Sequence, residues 1–272
     1  MVFNIKMTSD KRGSNPGGNC SVSSFRGNSP FEAYLKYCSG SKLPHGIDFR
    51  PENQPVYEAI TLQLARKLGL HTPSTWVLLN GKRDVRFYGK DGGESEHAGR
   101  DYYFVSRFVE KKGSPGSSLP ENILEDESPY WKSLLIDDVK NKPHNYIFQK
   151  DQNGSRVIYL DVGCSFVRAN EGNLKVSNTV RKVLTSKTNK NDFRRLRDKM
   201  VVCADNSDLI DLEKLVLGLD DLEIPVLNPF TKKKVSDLIS YEEIAQIKKC
   251  LAHSVAHNMS EFKARGLIVK DA

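Results

Sequence analysis

Residues 134–148 read LLIDDVKNKPHNYIF, and residues 157–163 read VIYLDVG. Asp138 ends an apolar run, Asn145 follows it on the same loop, and Asp161 leaves an apolar strand just before a glycine. In phosphoryl transfer, an acid accepts the proton of the substrate hydroxyl, while an Asn and a second Asp hold the magnesium that bridges the ATP phosphates. The two stretches therefore indicate a phosphoryl-transfer site that uses ATP and Mg²⁺.

The two predicted metal ligands are connected by a short segment that favours a hairpin. Residues 146–148 and 157–160 are apolar or aromatic, and an Asn-Gly dipeptide lies between them at residues 153–154. Asn-Gly between two such runs is typical of a β-hairpin turn. Because this hairpin would bring Asn145 and Asp161 together locally, the predicted metal site depends on no distant contact.

A phosphate-binding lysine and a glutamate to hold it are found upstream, in that order. Residues 31–37, FEAYLKY, predict a strand that ends near Lys36. Residues 55–69, PVYEAITLQLARKLG, predict a helix with proline in its first turn and glycine at its C-terminal cap. Glu58 lies early in this helix and is the candidate partner of Lys36.

Two further segments have the composition of nucleotide contacts. Residues 11–19, KRGSNPGGN, predict a small-residue loop whose backbone amides approach phosphate oxygens. Residues 102–109 predict a buried strand that leads into a hinge, whose backbone would meet adenine. The candidate nucleotide-binding residues are Gly17, Gly18, Asn19, Lys36, Arg107, Phe108 and Val109.

The order of these motifs resembles that of bacterial HipA-type serine/threonine kinases, and more closely their compact CtkA-like branch. The motifs are GGN, YLKY, YEA before LARKLGL, SRFVE, and HNYIF before LDVGCSF, within residues 13–166. The resemblance implies an α+β, two-lobed protein-kinase-like fold, with an antiparallel sheet and one helix in the N-lobe and a mainly helical C-lobe. The implied bounds are residues 1–110 for the N-lobe, 111–129 for a linker and 130–272 for the C-lobe. It also implies a protein substrate carrying Ser or Thr, and a toxin or effector role.

The catalytic loop departs from the family pattern. That pattern reads Asn-x-Asp-x-His-x-x-Asn, with the catalytic Asp five residues before the metal-binding Asn, but Lys140 stands five residues before Asn145. Asp138 lies seven residues before it, so it serves as catalytic acid only if the loop carries two extra residues, and Asp137 is the second candidate. Two alternatives stay open: a nucleotide-binding pseudokinase, and a kinase-fold nucleotidyl transferase.

Composition argues against a membrane-spanning or classically secreted protein and leaves a basic nucleic-acid-binding protein as a further alternative. The 272 residues carry a net charge of +7, and basic residues cluster within residues 181–199. Such a cluster fits nucleic-acid binding, yet it lacks the interleaved aromatic residues of a single-strand stacking surface. No apolar run reaches membrane-spanning length and no classical secretory signal is evident, so we expect a cytoplasmic protein or an effector delivered without such a signal.

The C-terminal part predicts a packing helix. Ile244, Ile247 and Leu251 recur at amphipathic helical spacing. Cys250, with the histidines at 253 and 257, would share one face of that helix, but zinc needs a fourth ligand that no neighbouring residue supplies. A buried thiol beside partly exposed imidazoles is the simpler interpretation. The five cysteines are scattered and odd in number, which argues against a disulfide scaffold.

Overall fold

The structure is a computed structural model of the chain. It describes residues 2–9, 17–24, 29–37, 50–67, 69–79, 85–94, 101–109, 146–151, 154–160, 214–228 and 230–264. Within these ranges the chain is α+β, as predicted. Two α-helices lie wholly within these ranges, α1 (Gln54–Lys67) and α2 (Tyr241–Ala264), and no described helix combines the length and hydrophobicity needed to cross a bilayer.

The described strands form two sheets. The strands are β1 (Phe3–Met7), β2 (Gly17–Ser24), β3 (Phe31–Lys36), β4 (Thr75–Leu79), β5 (Val85–Tyr88), β6 (Tyr102–Arg107), β7 (Tyr146–Asp151), β8 (Gly154–Tyr159), β9 (Glu223–Val226) and β10 (Thr231–Lys234). Eight of them form one sheet in the order β10-β9-β4-β6-β3-β2-β1-β5, while β7 and β8 form a separate hairpin.

The large sheet is mixed, whereas an antiparallel sheet was predicted from the sequence. Strand β1 pairs in parallel with β5, and β4 pairs in parallel with β9. The pairings between β1, β2, β3, β6 and β4 are antiparallel. The antiparallel prediction is therefore correct for the centre of the sheet and wrong at both sides, where strands distant in sequence are added.

One face of this sheet carries a hydrophobic core because apolar residues alternate along the strands. Phe3 and Ile5 of β1, Cys20 and Val22 of β2, and their neighbours on the adjoining strands are 0–4% exposed. Cys20 is buried among these side chains, and this burial raises the pKa of its thiol to about 12. The core members are Phe3, Ile5, Cys20, Val22, Ala33, Leu35, Leu78, Phe87, Tyr103, Val105 and Leu227.

Helix α1 is buried on every side from residue 54 to residue 65. A helix that is buried all round belongs to the protein interior, not to its surface. It ends where Gly69 takes a φ of +85° and donates its N–H to the Arg66 carbonyl, while the N–H of Leu70 is donated to the carbonyl of Ala65. These two bonds form a Schellman motif, so the predicted glycine cap is confirmed.

The chain divides into two compact units. The first comprises Met1–Gln63, Pro73–Glu110 and Asp220–Ile244, and the second comprises Leu64–Thr72, Lys111–Leu219 and Ala245–Ala272. Residues 220–244 were predicted to belong to a helical C-lobe, but strands β9 and β10 join the large sheet of the first unit. Asn228 secures this addition, because its side chain accepts the N–H of Leu79 at 2.8 Å and donates to the Leu79 carbonyl at 2.7 Å.

Candidate active site

A buried ion pair joins the predicted lysine to the predicted glutamate. The Nζ atom of Lys36 lies 3.0 Å from Oε2 of Glu58, and their side chains are 13% and 4% exposed. Lys36 is the last residue of β3 and Glu58 lies in the second turn of α1. The structure therefore brings together two residues that are 22 positions apart in sequence.

The strand geometry explains why the lysine reaches the helix. Successive side chains of a strand point to opposite faces, and Leu35 belongs to the core cluster on one face. Lys36 therefore points to the other face, where it also lies 5.7 Å from the ring centroid of Phe104. This aromatic face stabilises a cation in a site from which water is largely excluded.

Glycine at position 17 allows β2 to lie close to the end of β3. Gly17 is the strand partner of Lys36, and its φ is +152°. A Cβ atom on Gly17 would lie 1.9 Å from the carbonyl oxygen of Leu35, far inside van der Waals contact. Only glycine fits this position.

The predicted phosphate loop needs a partial correction. Gly17, Gly18 and Asn19 begin strand β2 and do not lie in a loop, while residues 11–16 lie outside the described part. The N–H of Asn19 is donated to Oγ of Ser9 at 3.0 Å, and the Asn19 carbonyl accepts the N–H of Thr8. The backbone N–H and carbonyl of Asn19 are thus already hydrogen-bonded to other groups of the protein.

Two backbone N–H groups of the predicted hinge are already hydrogen-bonded within the protein. Arg107 donates its backbone N–H to the Ser74 carbonyl, and Phe108 donates its own to the carbonyl of Glu32, both at 2.8 Å. The guanidinium of Arg107 lies 5.9 Å from the ring centroid of Phe31, and the Phe108 side chain is 50% exposed. Val109 follows directly and is partly buried.

The remaining predicted residues lie outside the described part of the chain: Asp137, Asp138, Lys140, Asn145 and Asp161. The hairpin predicted between the two metal ligands is confirmed, since β7 and β8 pair in register from Tyr146 with Tyr159 to Asp151 with Gly154. The roles proposed for Asn145 and Asp161 stay predictions.

The structure also contains a polar network that the sequence analysis missed. Glu243 is 1% exposed, and its Oε1 accepts Nδ2 of Asn53 at 2.7 Å together with the hydroxyl of Tyr57. Its Oε2 accepts the N–H of Ser240 at 3.0 Å, while the N–H of Glu243 is donated to Oγ of Ser240. The Ser-x-x-Glu spacing at 240–243 is the sequence signal of this capping box. Nothing in the sequence indicates the contact with Tyr57, 186 residues away.

A polar cleft of about 310 Å³ lies beside this network. Arg50, Asp101, Tyr102 and Asp237 are among the residues that line it. Across the described ranges no three His, Cys, Asp or Glu residues are grouped to hold a metal ion.

Comparison with known proteins gives a distant likeness. No family model matches the chain, and neither does any curated protein. Among solved structures, the chain is similar to the Helicobacter pylori proinflammatory kinase CtkA, with a TM-score of 0.46 and 11% sequence identity over 100% of both chains. The sequence resemblance to HipA-type kinases therefore stays a prediction.

Proposed function

We propose that this chain is a protein kinase that transfers the γ-phosphate of ATP, with Mg²⁺, to a Ser or Thr hydroxyl of a protein target. The buried ion pair between Lys36 and Glu58 carries the proposal. In protein kinases, a lysine on a strand binds the ATP phosphates and must be held by a glutamate on a helix. This chain holds one lysine in that way, on the strand and helix where the sequence predicts it.

The ion pair suits phosphate binding for a physical reason. A lysine side chain is flexible and loses rotamer entropy when it binds a ligand. The carboxylate of Glu58 and the ring of Phe104 fix the ammonium group of Lys36 beforehand. Preorganised charge of this kind stabilises developing negative charge with little reorganisation at the moment of reaction.

The other proposed roles rest on residue chemistry alone. Asn145 and Asp161 would hold Mg²⁺, since amide and carboxylate oxygens are the ligands this ion prefers. When bound, Mg²⁺ neutralises the charge that develops on the phosphate oxygens. Asp138 would orient the acceptor hydroxyl or take its proton, with Asp137 as the alternative.

The hydrogen bonds of the hinge limit which of its backbone groups can bind adenine. Because the N–H groups of Arg107 and Phe108 are donated to protein carbonyls, neither offers its proton to the base without breaking a bond of the sheet. We therefore assign adenine recognition to the backbone of Val109 and to hinge carbonyls. The backbone of Val109 would contact the edge of the adenine base, and the side chain of Phe108 would lie beside the base.

A pseudokinase is the second candidate, and the position of Lys140 favours it. If the loop cannot bring Asp138 to the acceptor, the chain binds Mg-ATP through Lys36 and Asp161 but transfers nothing. A nucleotidyl transferase and a basic nucleic-acid-binding protein are the remaining alternatives, each with a distinct product or ligand.

Intact-mass analysis after incubation with Mg-ATP and casein tests the proposal. We expect phosphate additions to protein or casein that vanish in Asp161→Ala and Lys36→Met. Lys6→Met is the matched control, because Lys6 is also a strand lysine but its side chain is exposed, and it should retain activity. The proposal fails if Lys36→Met and Asp161→Ala are as active as the wild type.

The other outcomes separate the alternatives. No phosphate addition together with Mg-ATP binding would favour the pseudokinase. Addition of a nucleotide monophosphate would identify a nucleotidyl transferase. Salt-dependent binding of generic DNA or RNA that is unaffected by Asp161→Ala would favour nucleic-acid recognition.

A further inference from the structure

Glu243 connects the start of α2 to the start of α1. Its Oε2 completes the capping box with Ser240, and its Oε1 accepts hydrogen bonds from Asn53 and Tyr57. The hydroxyl of Tyr57 accepts in turn the backbone N–H of Arg50 at 3.1 Å. One carboxylate thus contacts the segment that enters α1 and the first turn of the helix itself.

This carboxylate is buried but fully supported by donors. Tyr57 is 0% exposed, Asn53 7% and Glu243 1%. Although burial opposes the charged form, hydrogen bonds from Tyr57, Asn53 and Ser240 hold the pKa of Glu243 below its ordinary value. Hydrogen bonds to a charged acceptor are stronger than those between neutral groups, so the network holds the helix firmly.

Two polar contacts, here called anchors, hold neighbouring residues of α1: the hydrogen bond of Tyr57 and the ion pair of Glu58. Tyr57 bonds to Glu243, and the next residue, Glu58, pairs with Lys36. Consecutive side chains of an α-helix point about 100° apart, so the two anchors hold the helix from different directions. Together with the packing around α1, they constrain the rotation of this part of the helix about its axis. If the Tyr57 anchor is lost, α1 can rotate and the carboxylate of Glu58 moves relative to the ammonium of Lys36.

We propose that Glu243 is a positioning residue for the Lys36–Glu58 pair, acting through Tyr57 and Asn53. The consequence for ATP binding rests on the proposed function, whereas the effect on the ion pair itself does not. All the residues of this network belong to the first compact unit, although Glu243 lies 186 positions from Tyr57 in the sequence.

The first readout is the reactivity of the Lys36 amine. Acetylation by a water-soluble succinimidyl ester is followed by peptide mass spectrometry, with the exposed Lys6 as internal reference. We expect Tyr57→Phe and Glu243→Gln to raise the Lys36 rate about fivefold, because a lost buried hydrogen bond corresponds to roughly that factor. Glu58→Gln is the positive control. Tyr102→Phe is the matched control, since it too removes a partly buried hydroxyl, which is donated to the Leu238 carbonyl at 2.7 Å and not to Glu243.

The second readout is calorimetric affinity for Mg-ATP. Tyr57→Phe should weaken binding about fivefold, and in a double-mutant cycle its effect should not add to that of Glu58→Gln, since both act on one pair. Asn53→Ala provides a milder variant, which removes one donor to Glu243 and keeps the tyrosine, in case the stronger variants fail to fold.

The outcomes distinguish this inference from the proposed function. Unchanged Lys36 reactivity in Tyr57→Phe, Glu243→Gln and Asn53→Ala, beside a clear rise in Glu58→Gln, would overturn the positioning role. An equal rise in Tyr102→Phe would also overturn it, because the effect would then reflect general loosening. If reactivity rises as expected but Lys36→Met binds Mg-ATP like the wild type, positioning stands and the proposed function fails.

Discussion

Replacing Glu58 with glutamine tests whether the buried ion pair exists in solution. With 3.0 Å between Nζ and Oε2, the attraction is about 5–6 kcal/mol at an effective dielectric constant of about 20. Glutamine keeps an oxygen that can accept from Lys36 but leaves the ammonium without a counter-charge. Removing one partner of a buried pair costs roughly 3–5 kcal/mol, and we expect Glu58→Gln at the lower end, about 3 kcal/mol.

Equilibrium urea denaturation measures this loss, and two variants provide controls. Glu223→Gln breaks a pair with Lys232 whose side chains are 58% and 63% exposed, so the urea midpoint should stay unchanged. The double variant Lys36→Met/Glu58→Leu replaces the whole pair with apolar groups and should recover stability to within about 1 kcal/mol of the wild type. It should nevertheless bind no Mg-ATP. If Glu58→Gln shifts the midpoint no more than Glu223→Gln, the pair is not formed as described and the reasoning is wrong.

Two further predictions concern the surroundings of the site. Gly17→Ala should destabilise the protein by more than about 3 kcal/mol in urea denaturation, since its Cβ would meet the Leu35 carbonyl. Gly92→Ala meets no atom within 4 Å and should cost only the backbone strain of its φ of +81°, about 1–2 kcal/mol, so equal losses would contradict the close approach at Gly17. The folded-state pKa of Glu243 lies below its ordinary value of 4.5, so the stability it contributes is present above about pH 4.5 and is lost as pH falls. The stability difference between wild type and Glu243→Gln should therefore shrink as pH falls below about 4.5, and a difference that stays constant would contradict this assignment.

Local signals predicted the elements that carry the candidate site. The strand at β3 was predicted by aromatic and apolar residues, α1 by Pro55 in its first turn, and the end of α1 by Gly69. The β7–β8 hairpin was predicted by its Asn-Gly dipeptide. In each case the deciding residues lie within one element or turn, where steric preference and hydrogen bonding act over a few positions.

Which strands pair to form the large sheet could not be predicted from such local signals. The pairing of β9 with β4 joins Val77 to Val226, and Asn228 bonds the backbone of Leu79 from 149 residues away. Neither contact leaves a periodic signal in the sequence, because the choice between possible strand partners depends on the burial of the whole sheet. The addition of strands β9 and β10 to the large sheet was not predicted for this reason.

The sequence alone predicted that Lys36 ends a strand, that Glu58 lies early in a helix, and that Lys36 suits phosphate binding with Glu58 as its partner. Only the tertiary structure decided that the two side chains meet, that Gly17 lies against Leu35, and that the hinge N–H groups of Arg107 and Phe108 are already donated. It also decided that Glu243 holds the turn of α1 next to Glu58. Residue type and local spacing specify what a side chain can do, but packing between distant elements specifies which groups are close enough to act together.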